Sequence, residues 1–342
     1  MRFRSPFAAV ALGAATALTL AGCSSGGGAT PSAAPSDDPQ AALVAAAQAE
    51  GQVIVYSSSV GTIAEAAGDA FTEKYGIEVL INKITSAEAN TRYTAEATAG
   101  NIQADIVDTS CADTVFLTES VEKGWALAPT DLDSEGIAEM PDTLVADGNS
   151  FRFAVMPVAI GYNTDLLEGA DIPKSWEDLT DAKYKGQIVM VDPESSAFYI
   201  SWLTWILDKY GEDYLKELGE NIGGYADAPG SRNQLGAGQY SVDIPTFVVS
   251  MDDTAATGAP VSAVSPDETI ANYQCAVVSG EDGPHPNAAK LYGQFLSSQE
   301  GGDAVASVNG VLSPFSKAGV PSTVEPAPPA GDKDQILSLL GR

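Results

Sequence analysis

The segment "QVIVYSSSVGTIAEAAGDAFTEKYGIEVLI" (residues 52–81) decides the predicted fold of this 342-residue chain. It begins and ends with continuous apolar runs of strand length. Between them, Ile63, Ala67 and Phe71 recur at the spacing of one helical face. After another helix-length stretch comes a third apolar run, "ADIVD" (104–108). Strands that alternate with helices in this way predict βαβ units, and therefore an α/β fold with a mainly parallel sheet.

The same alternation occurs in the second half of the chain. The run "QIVMVDP" (187–193) predicts the central strand of a second α/β region, and a strongly apolar helix follows it. The later segments "CAVV" (275–278) and "HPNAAKLYGQFLSS" (285–298) read as a strand and a helix of the first region. A chain that leaves a region and returns crosses twice, and two crossings form a hinge. The expected lobes are residues 41–155 plus 270–342, and residues 156–269.

The first residues indicate export. Arg2 and Arg4 precede an uncharged apolar run with the length of a secretory signal. The run ends in "LAGC" (20–23), which resembles the bacterial lipobox. This implies a signal peptide at residues 1–22 and lipidation of Cys23, although an ordinary cleaved signal with an unrelated cysteine is the alternative. The Ser-, Gly- and Pro-rich residues 23–40 predict a flexible tether, so we expect an exported protein, lipid-anchored to the outer face of the cell membrane.

Composition excludes some partners and cofactors. The chain has 17 Lys and Arg residues against 46 Asp and Glu residues, a formal net charge of -29, which disfavours nucleic acid. Cys111 and Cys275 are expected either as a disulfide bond or as two separate buried thiols. The sequence has no C-x-x-C motif and no Cys/His cluster, so it predicts neither a zinc site nor a cofactor.

Hydroxyl side chains follow the predicted strands at the point where each strand ends. In open parallel sheets, ligands bind beyond these carboxyl ends, where helix N-termini offer unpaired N–H groups. We therefore expect these side chains to surround a small oxyanion, with Arg232 as its charged anchor because a guanidinium matches oxyanion geometry. Each serine could instead be only an N-cap and Arg232 part of a surface ion pair. The candidate ligand-binding residues are Ser57, Ser58, Ser59, Ser110, Ser195, Ser196, Ser231, Arg232 and Tyr162, with Arg92 as a second cation.

Three blocks of the sequence carry a family resemblance. The blocks "AIGYNTDLL" (159–167), "IPKSWEDLTDAKYKGQIVMVDPESSAF" (172–198) and "GPHPNAAKLYGQFLSSQEG" (283–301) resemble the extracellular solute-binding proteins of ABC importers. The most similar branch includes binders of ferric ion, phosphonates and sugar phosphates. The resemblance implies a two-lobe, periplasmic-binding-protein-like fold of type II. It also implies a small solute or ion held between the lobes, and docking on permease subunits that work with an ATPase.

The family's iron-binding pattern is missing from this chain. Ferric-binding relatives offer an adjacent pair of tyrosines from the second lobe, and this sequence has no Tyr-Tyr pair. Where the family would place it, Thr246, Phe247 and Val248 stand instead, and the only histidine, His285, lies in a predicted helix start. No metal ligand is therefore assigned, and both ferric iron and an organic anion remain open as solutes.

The sequence also bears on two other classes of function, a hydrolase and a sensory or adhesive lipoprotein. A hydrolase is disfavoured, because the sequence has no G-x-S-x-G elbow and a single histidine is too few for the common zinc sites. A sensory or adhesive lipoprotein with the same fold remains the alternative, since a fold does not determine a function.

Replacing Cys23 by alanine tests the predicted anchor. Without the sulfur that carries the lipid, Cys23→Ala should be released into the medium with unchanged affinity for solute, whereas Ser24→Ala should stay with the membrane fraction. Fractionation and immunoblotting measure both variants. Retention of Cys23→Ala on the membrane would contradict the anchor.

Overall fold

The predicted strands form a mixed sheet in a computed structural model that describes residues 38–60 and 62–342. The predicted signal peptide, Cys23 and most of the tether lie outside these residues. Within the described part, no helix combines the length and the apolar character that crossing a membrane requires. The strands are β1 (Gln52–Ser57), β2 (Glu78–Lys83), β3 (Ile106–Ser110), β4 (Leu144–Val145), β5 (Ser150–Asn163), β6 (Ile188–Val191), β7 (Ile222–Ala226), β8 (Val242–Phe247), β9 (Val261–Val264), β10 (Thr269–Val278) and β11 (Val324–Pro326).

The helices follow the strands as the alternation predicts. Several begin at residues whose side chains accept a first-turn N–H, such as Thr85, Ser196 and Asp227. The α-helices are α1 (Pro39–Glu50), α2 (Ile63–Tyr75), α3 (Ser86–Thr98), α4 (Thr114–Glu122), α5 (Glu135–Glu139), α6 (Ala197–Asn221), α7 (Ala228–Gly236), α8 (Val248–Ala256), α9 (Pro286–Leu296), α10 (Gln299–Ala306) and α11 (Lys333–Leu339).

The sheet contains two groups of parallel strands joined by antiparallel ones. In the first parallel group, β1 pairs with β2 and with β3; in the second, β6 pairs with β7 and with β8. Strand β5 pairs with β10 through its first half and with β8 and β9 through its second half. Strand β10 also pairs with β3. The predicted α/β class with mainly parallel strand groups is confirmed.

The apolar side chains divide into separate clusters rather than one core. Two clusters belong to the first parallel group; one contains Phe71 and Phe295, and the other contains Tyr93. Two more belong to the second group, around Trp202 and Leu235. Each group is therefore covered on both faces, as parallel sheets require.

The C-terminal residues depart from the expected lobe boundaries. Helix α11 packs against α6, and its Ile336 belongs, with Leu340, to the cluster around Trp202. Arg342 adds an ion pair to Asp192 at 2.9 Å. The apolar face of α11 is thus buried in the second region, whereas residues 270–342 were expected to stay with the first. The chain crosses between the regions a third time before β11.

Cys111 and Cys275 form a disulfide bond in the structure, with their sulfurs 2.08 Å apart. Of the two arrangements that the sequence left open, this is the bridged one. The bond ties the residue after β3 to β10 and spans 164 residues of sequence. A cross-link over such a long loop lowers the entropy of the unfolded chain considerably.

Removing the disulfide should therefore lower the free energy of unfolding. We expect the Cys111→Ser, Cys275→Ser double variant to lose about 3 to 5 kcal/mol, measured by urea denaturation. The unmodified protein in reductant is the matched control and should lose a similar amount. Identical urea midpoints for the oxidised protein and the double variant would contradict the expectation.

Candidate functional site

The ends of the first parallel group bring the predicted serines to one edge of the sheet. Ser57, Lys83 and Ser110 are the last residues of β1, β2 and β3. Ser57 is in register with Lys83 on one side and with Asp108 on the other. Because parallel strands share the direction in which they end, the loops that follow also lie at this edge.

A buried carboxylate holds the serine turn. Ser57 Oγ donates to Asp108 Oδ2 at 2.6 Å, and the Ser58 N–H donates to the Asp108 carbonyl oxygen at 3.0 Å. The Ser59 N–H in turn donates to Ser57 Oγ at 3.3 Å. Burial raises the pKa of Asp108 to about 6, although the hydrogen bond from Ser57 acts in the opposite direction. Ser57 therefore shapes the turn, and its hydroxyl is engaged inside the protein.

Ser58 and Ser110 belong to a small hydroxyl network around Ser86. Ser86 Oγ donates to Ser58 Oγ at 2.9 Å and accepts the Ser110 N–H at 3.4 Å. Ser110 Oγ accepts the Ala112 N–H at 3.3 Å. The structure thus brings Ser57, Ser58 and Ser110 together, each with a partner inside the protein.

Ser59 differs from its neighbours. Its side chain is only 6% exposed, yet its hydroxyl has no hydrogen-bond partner among the described residues. Three residues further on, Thr62 precedes α2 without capping it by its side chain. An uncapped helix N-terminus beside a buried hydroxyl with no partner is a place where a ligand can supply the missing acceptor.

The second parallel group contributes the facing residues. Helix α7 follows β7 and is capped by Asp227, which accepts the Gly230 N–H at 2.7 Å. Ser231 is buried in its first turn and donates to the Ala228 carbonyl oxygen at 3.1 Å. The next residue, Arg232, is half-buried and makes no hydrogen bond or ion pair with any other residue that the structure describes.

Helix α8 begins directly after β8, and no side chain caps its first turn. Ser250 lies in that turn and is buried, and no hydrogen bond of its hydroxyl is found in the described part of the chain. The N-terminus of α8 therefore resembles that of α2 in leaving donors without side-chain acceptors.

A cavity of about 440 Å³ lies between these two sets of residues. Two cations, Lys83 and Arg232, reach it, and Lys83 also pairs with Glu65 at 2.9 Å. The volume suits a small solute. A larger groove of about 810 Å³ between α3 and α4 has no Lys or Arg in its lining. The cavity is lined by Ser59, Val60, Lys83, Pro229, Arg232, Asn233, Ser250, Asp253, Thr254 and Thr257.

Ser195, Ser196 and Tyr162 do not line this cavity. Ser195 Oγ donates to the Asp192 carbonyl oxygen at 2.6 Å, and Ser196 caps α6 by accepting the Phe198 N–H at 3.3 Å. For Ser196 the N-cap alternative describes the local contact, whereas the Ser195 hydroxyl bonds to the preceding turn. Tyr162 pairs with Val242 at the start of β8, whereas the cavity adjoins the end of β8. It lies at the opposite edge of the sheet.

Arg92, predicted as a second cation, and His285, the only histidine, both have partners inside the protein. Arg92 donates to Glu96 at 2.9 Å and stacks over the Tyr56 ring at 4.4 Å. His285 precedes α9, and its Nδ1 lies 2.8 Å from Asp105 Oδ2. No group of three or more His, Cys, Asp or Glu residues placed to hold a metal occurs in residues 38–60 and 62–342.

The sequence reasoning missed Lys83, Ser250 and Asp243. Lys83 ends the second strand, so the strand-end argument applied to the serines also covers it. Ser250 lies in "TFVVSMDD", the segment where the family's tyrosine pair would stand, and no strand-end pattern marks its serine. Asp243 is a carboxylate inside the apolar run "SVDIPTF", a pattern that indicates a buried polar group.

Ser57 and Ser59 form a matched pair for testing this geometry. Ser57→Ala removes a donor from the buried Asp108 and should lower the free energy of unfolding by about 1 to 3 kcal/mol. Ser59→Ala removes a hydroxyl without a partner, so its stability should stay within about 0.5 kcal/mol of the unmodified protein. Urea denaturation measures both. Equal losses in the two variants would contradict the assigned contacts.

Comparison with known proteins places this geometry in a family. Residues 101–336 match the family of bacterial extracellular solute-binding proteins. An uncharacterized protein of Haemophilus influenzae is 28% identical over 272 residues, which cover 76% of this chain and 77% of that protein.

Two solved structures share the fold. The periplasmic binding protein AfuA from Actinobacillus pleuropneumoniae, with fructose-6-phosphate bound, is 24% identical, with a TM-score of 0.55 over 83% of this chain and 90% of that one. Iron-bound HitA from Pseudomonas aeruginosa is 20% identical, with a TM-score of 0.58 over 85% and 98%. These relatives are binding proteins with the two-lobe type II fold. The chain belongs to the family of bacterial extracellular solute-binding proteins.

Proposed function

We propose that this protein captures a small oxyanion, such as a phosphonate or a sugar phosphate, in the cavity between its two lobes. It delivers the solute to the permease subunits of an ABC importer, which work with an ATPase. The lipid on Cys23 and the tether at residues 23–40 hold it at the outer face of the cell membrane. Residues 41–155 and 156–269 form the main part of each lobe, and the α11 segment joins the second.

One observation carries the choice of an oxyanion: Arg232 reaches the cavity and makes no hydrogen bond or ion pair with the other residues that the structure describes. A guanidinium that donates to no carboxylate or carbonyl oxygen among the described residues is available to form two parallel N–H hydrogen bonds with one oxyanion. Ser59 on the facing wall adds a buried hydroxyl, and the N-termini of α2 and α8 add backbone dipoles of the same sign.

Direct binding of ferric iron is less well supported by the lining. A hard trivalent cation favours anionic oxygen ligands, and the described lining residues include one carboxylate, Asp253, and no tyrosine or histidine. Lys83 and Arg232 would also repel a bare cation. The bound solute of HitA is iron and that of AfuA is a sugar phosphate; the charges here favour the second kind of ligand, or iron carried by an anion.

Capture and closure follow from the placement of donors on two walls. A solute that first contacts one wall gains the donors of the other only when the lobes approach. The solute therefore binds the closed form more tightly than the open form, and this difference shifts the population toward closure. The permease would then recognise the closed form.

A thermal-shift screen of the soluble body tests the solute class. The compounds are phosphonates, sugar phosphates, ferric salts, polyamines and small carboxylates. A ligand at a hundred times its dissociation constant should add about 2.7 kcal/mol of stability. We expect phosphonates or sugar phosphates to raise the Tm. A response to ferric salts alone would contradict the oxyanion, and no response at all would favour a sensory or adhesive lipoprotein.

Arg232→Ala tests the anchor, with Arg92→Ala as its matched control. Loss of a charged donor from a desolvated site should weaken binding of the solute found in the screen by at least about 2 kcal/mol, or about 30-fold in Kd. Arg92 lies outside the cavity, so its removal should leave Kd unchanged. Titration calorimetry measures both variants. An unchanged Kd for Arg232→Ala would remove this residue from the site.

A further inference from the structure

Asp243 is a buried carboxylate for which neither the fold nor the cavity lining accounts. It is the second residue of β8, with 0% of its surface exposed, and neither carboxylate oxygen has a hydrogen-bond partner in the described residues. The hydroxyl of Thr246, further along the strand, also has none. A charged carboxylate in such a place is costly unless a cation compensates it.

The surroundings of Asp243 contain one cation. Helix α7 packs on β8 and places Ser231 beside Asp243, although the Ser231 hydroxyl donates to Ala228. Arg232, the next residue of α7, acts on the carboxyl group by its charge, and from α6 the Tyr199 phenol is within electrostatic range. Strand β5 presents Gly161, which has no side chain, close to the Asp243 Cβ. The acidic residues of α8, Asp252 and Asp253, are exposed.

These neighbours set the charge of Asp243. Burial raises its pKa to about 7, and the Ser231 hydroxyl and the charge of Arg232 oppose that rise. Near neutral pH the carboxyl group is therefore balanced between two states; Ser231 and Arg232 favour the ionised one, and of these two residues only Arg232 lines the cavity. Anything that offsets the charge of Arg232 should shift the balance toward the protonated carboxyl.

We propose that Asp243 is a positioning residue that couples a proton to the binding of the anion. In the empty site its carboxylate balances the charge of Arg232; when an anion binds to that guanidinium, Asp243 takes up a proton from solvent. No covalent bond other than this O–H bond forms or breaks. This inference rests on the oxyanion function proposed above, and it explains why a carboxylate without hydrogen bonds lies behind the anchor.

The coupling has a definite sign. Because linkage is reciprocal, a proton on Asp243 must strengthen anion binding as much as the anion strengthens protonation. Affinity for an anion should therefore rise as the pH falls, whereas affinity for a cation should fall. Asp108 on the facing wall also titrates in this range, but it is hydrogen-bonded to Ser57 and is retained in every variant used below.

The first experiment needs no ligand. In protein labelled with ¹³C at the aspartate carboxyl carbons, the Asp243 signal is assigned by its absence from Asp243→Asn and titrated by NMR. Arg232→Met keeps most of the apolar stem but removes the charge, so the titration midpoint should move to higher pH by about 1 pH unit. A midpoint that does not move overturns the coupling of the two residues.

The second experiment uses inorganic sulfate, which does not itself titrate near neutral pH. Its Kd is measured between pH 6 and pH 8.5 in the unmodified protein and in Asp243→Asn, a neutral isostere of the protonated acid. We expect sulfate affinity to fall about fivefold or more with rising pH in the unmodified protein. In Asp243→Asn it should stay close to the low-pH value throughout. Equal pH profiles, or loss of sulfate binding in Asp243→Asn, overturn the proposal.

The two experiments separate this inference from the proposed function. If the NMR midpoint moves but sulfate, phosphonates and sugar phosphates all fail to bind at any pH, the oxyanion function is wrong. The electrostatic coupling of Arg232 to Asp243 would then be confirmed without a link to anion binding. If these anions bind with the same pH profile in both proteins, the function stands and the coupling is wrong. Should Asp243→Asn fail to fold, Asp243→Ser takes its place both in assigning the NMR signal and in the sulfate titration.

Discussion

Strand β5 forms backbone hydrogen bonds with both halves of one mixed sheet, and the arrangement of the molecule depends on this. A buried strand must pair all its N–H and C=O groups. β5 does so by pairing with β10 over its first half and with β8 and β9 over its second. The register shifts between Ala159 and Gly161, where β5 pairs with β8. Two parallel strand groups are thereby held in one chain of hydrogen bonds, and the loops beyond their ends line one cavity.

The charges that line the cavity differ from those of the chain as a whole. The chain carries a formal net charge of -29, yet the described lining residues of the cavity include two cations, Lys83 and Arg232, and one carboxylate, Asp253. Each wall also has a buried carboxylate behind it, Asp108 on one side and Asp243 on the other. The first is satisfied by Ser57 and fixes a turn, whereas the second has no hydrogen bond in the described part of the chain. The two buried aspartates thus have different roles, because Asp108 accepts a hydrogen bond from a serine hydroxyl and Asp243 accepts none among the described residues.

Much of the fold could be predicted from local patterns, because continuous apolar runs and helical spacing are properties of neighbouring residues. The rule that parallel strands end at one edge predicts Ser59 at the site, whereas Arg232 is predicted there because a guanidinium matches oxyanion geometry; both line the cavity. That rule could not place Tyr162, since it requires the strand direction, and β5 runs antiparallel to β8. It also could not separate Ser59 from Ser196, because a helix cap and a ligand contact use the same hydroxyl chemistry. The position of α11 depends on a partner more than a hundred residues away, α6.

The third crossing of the chain has a mechanical consequence. Leu312 bridges to Val155 and Val324 pairs with Thr269, so the returning segment runs beside β5 and β10 where those strands connect the two regions. Three adjacent connections form a ribbon, which bends across its flat face far more easily than it twists or shears. The two walls would then approach along a single path, and the stiffness of the ribbon, as much as the cavity residues, would set how large a guest the closed protein can enclose.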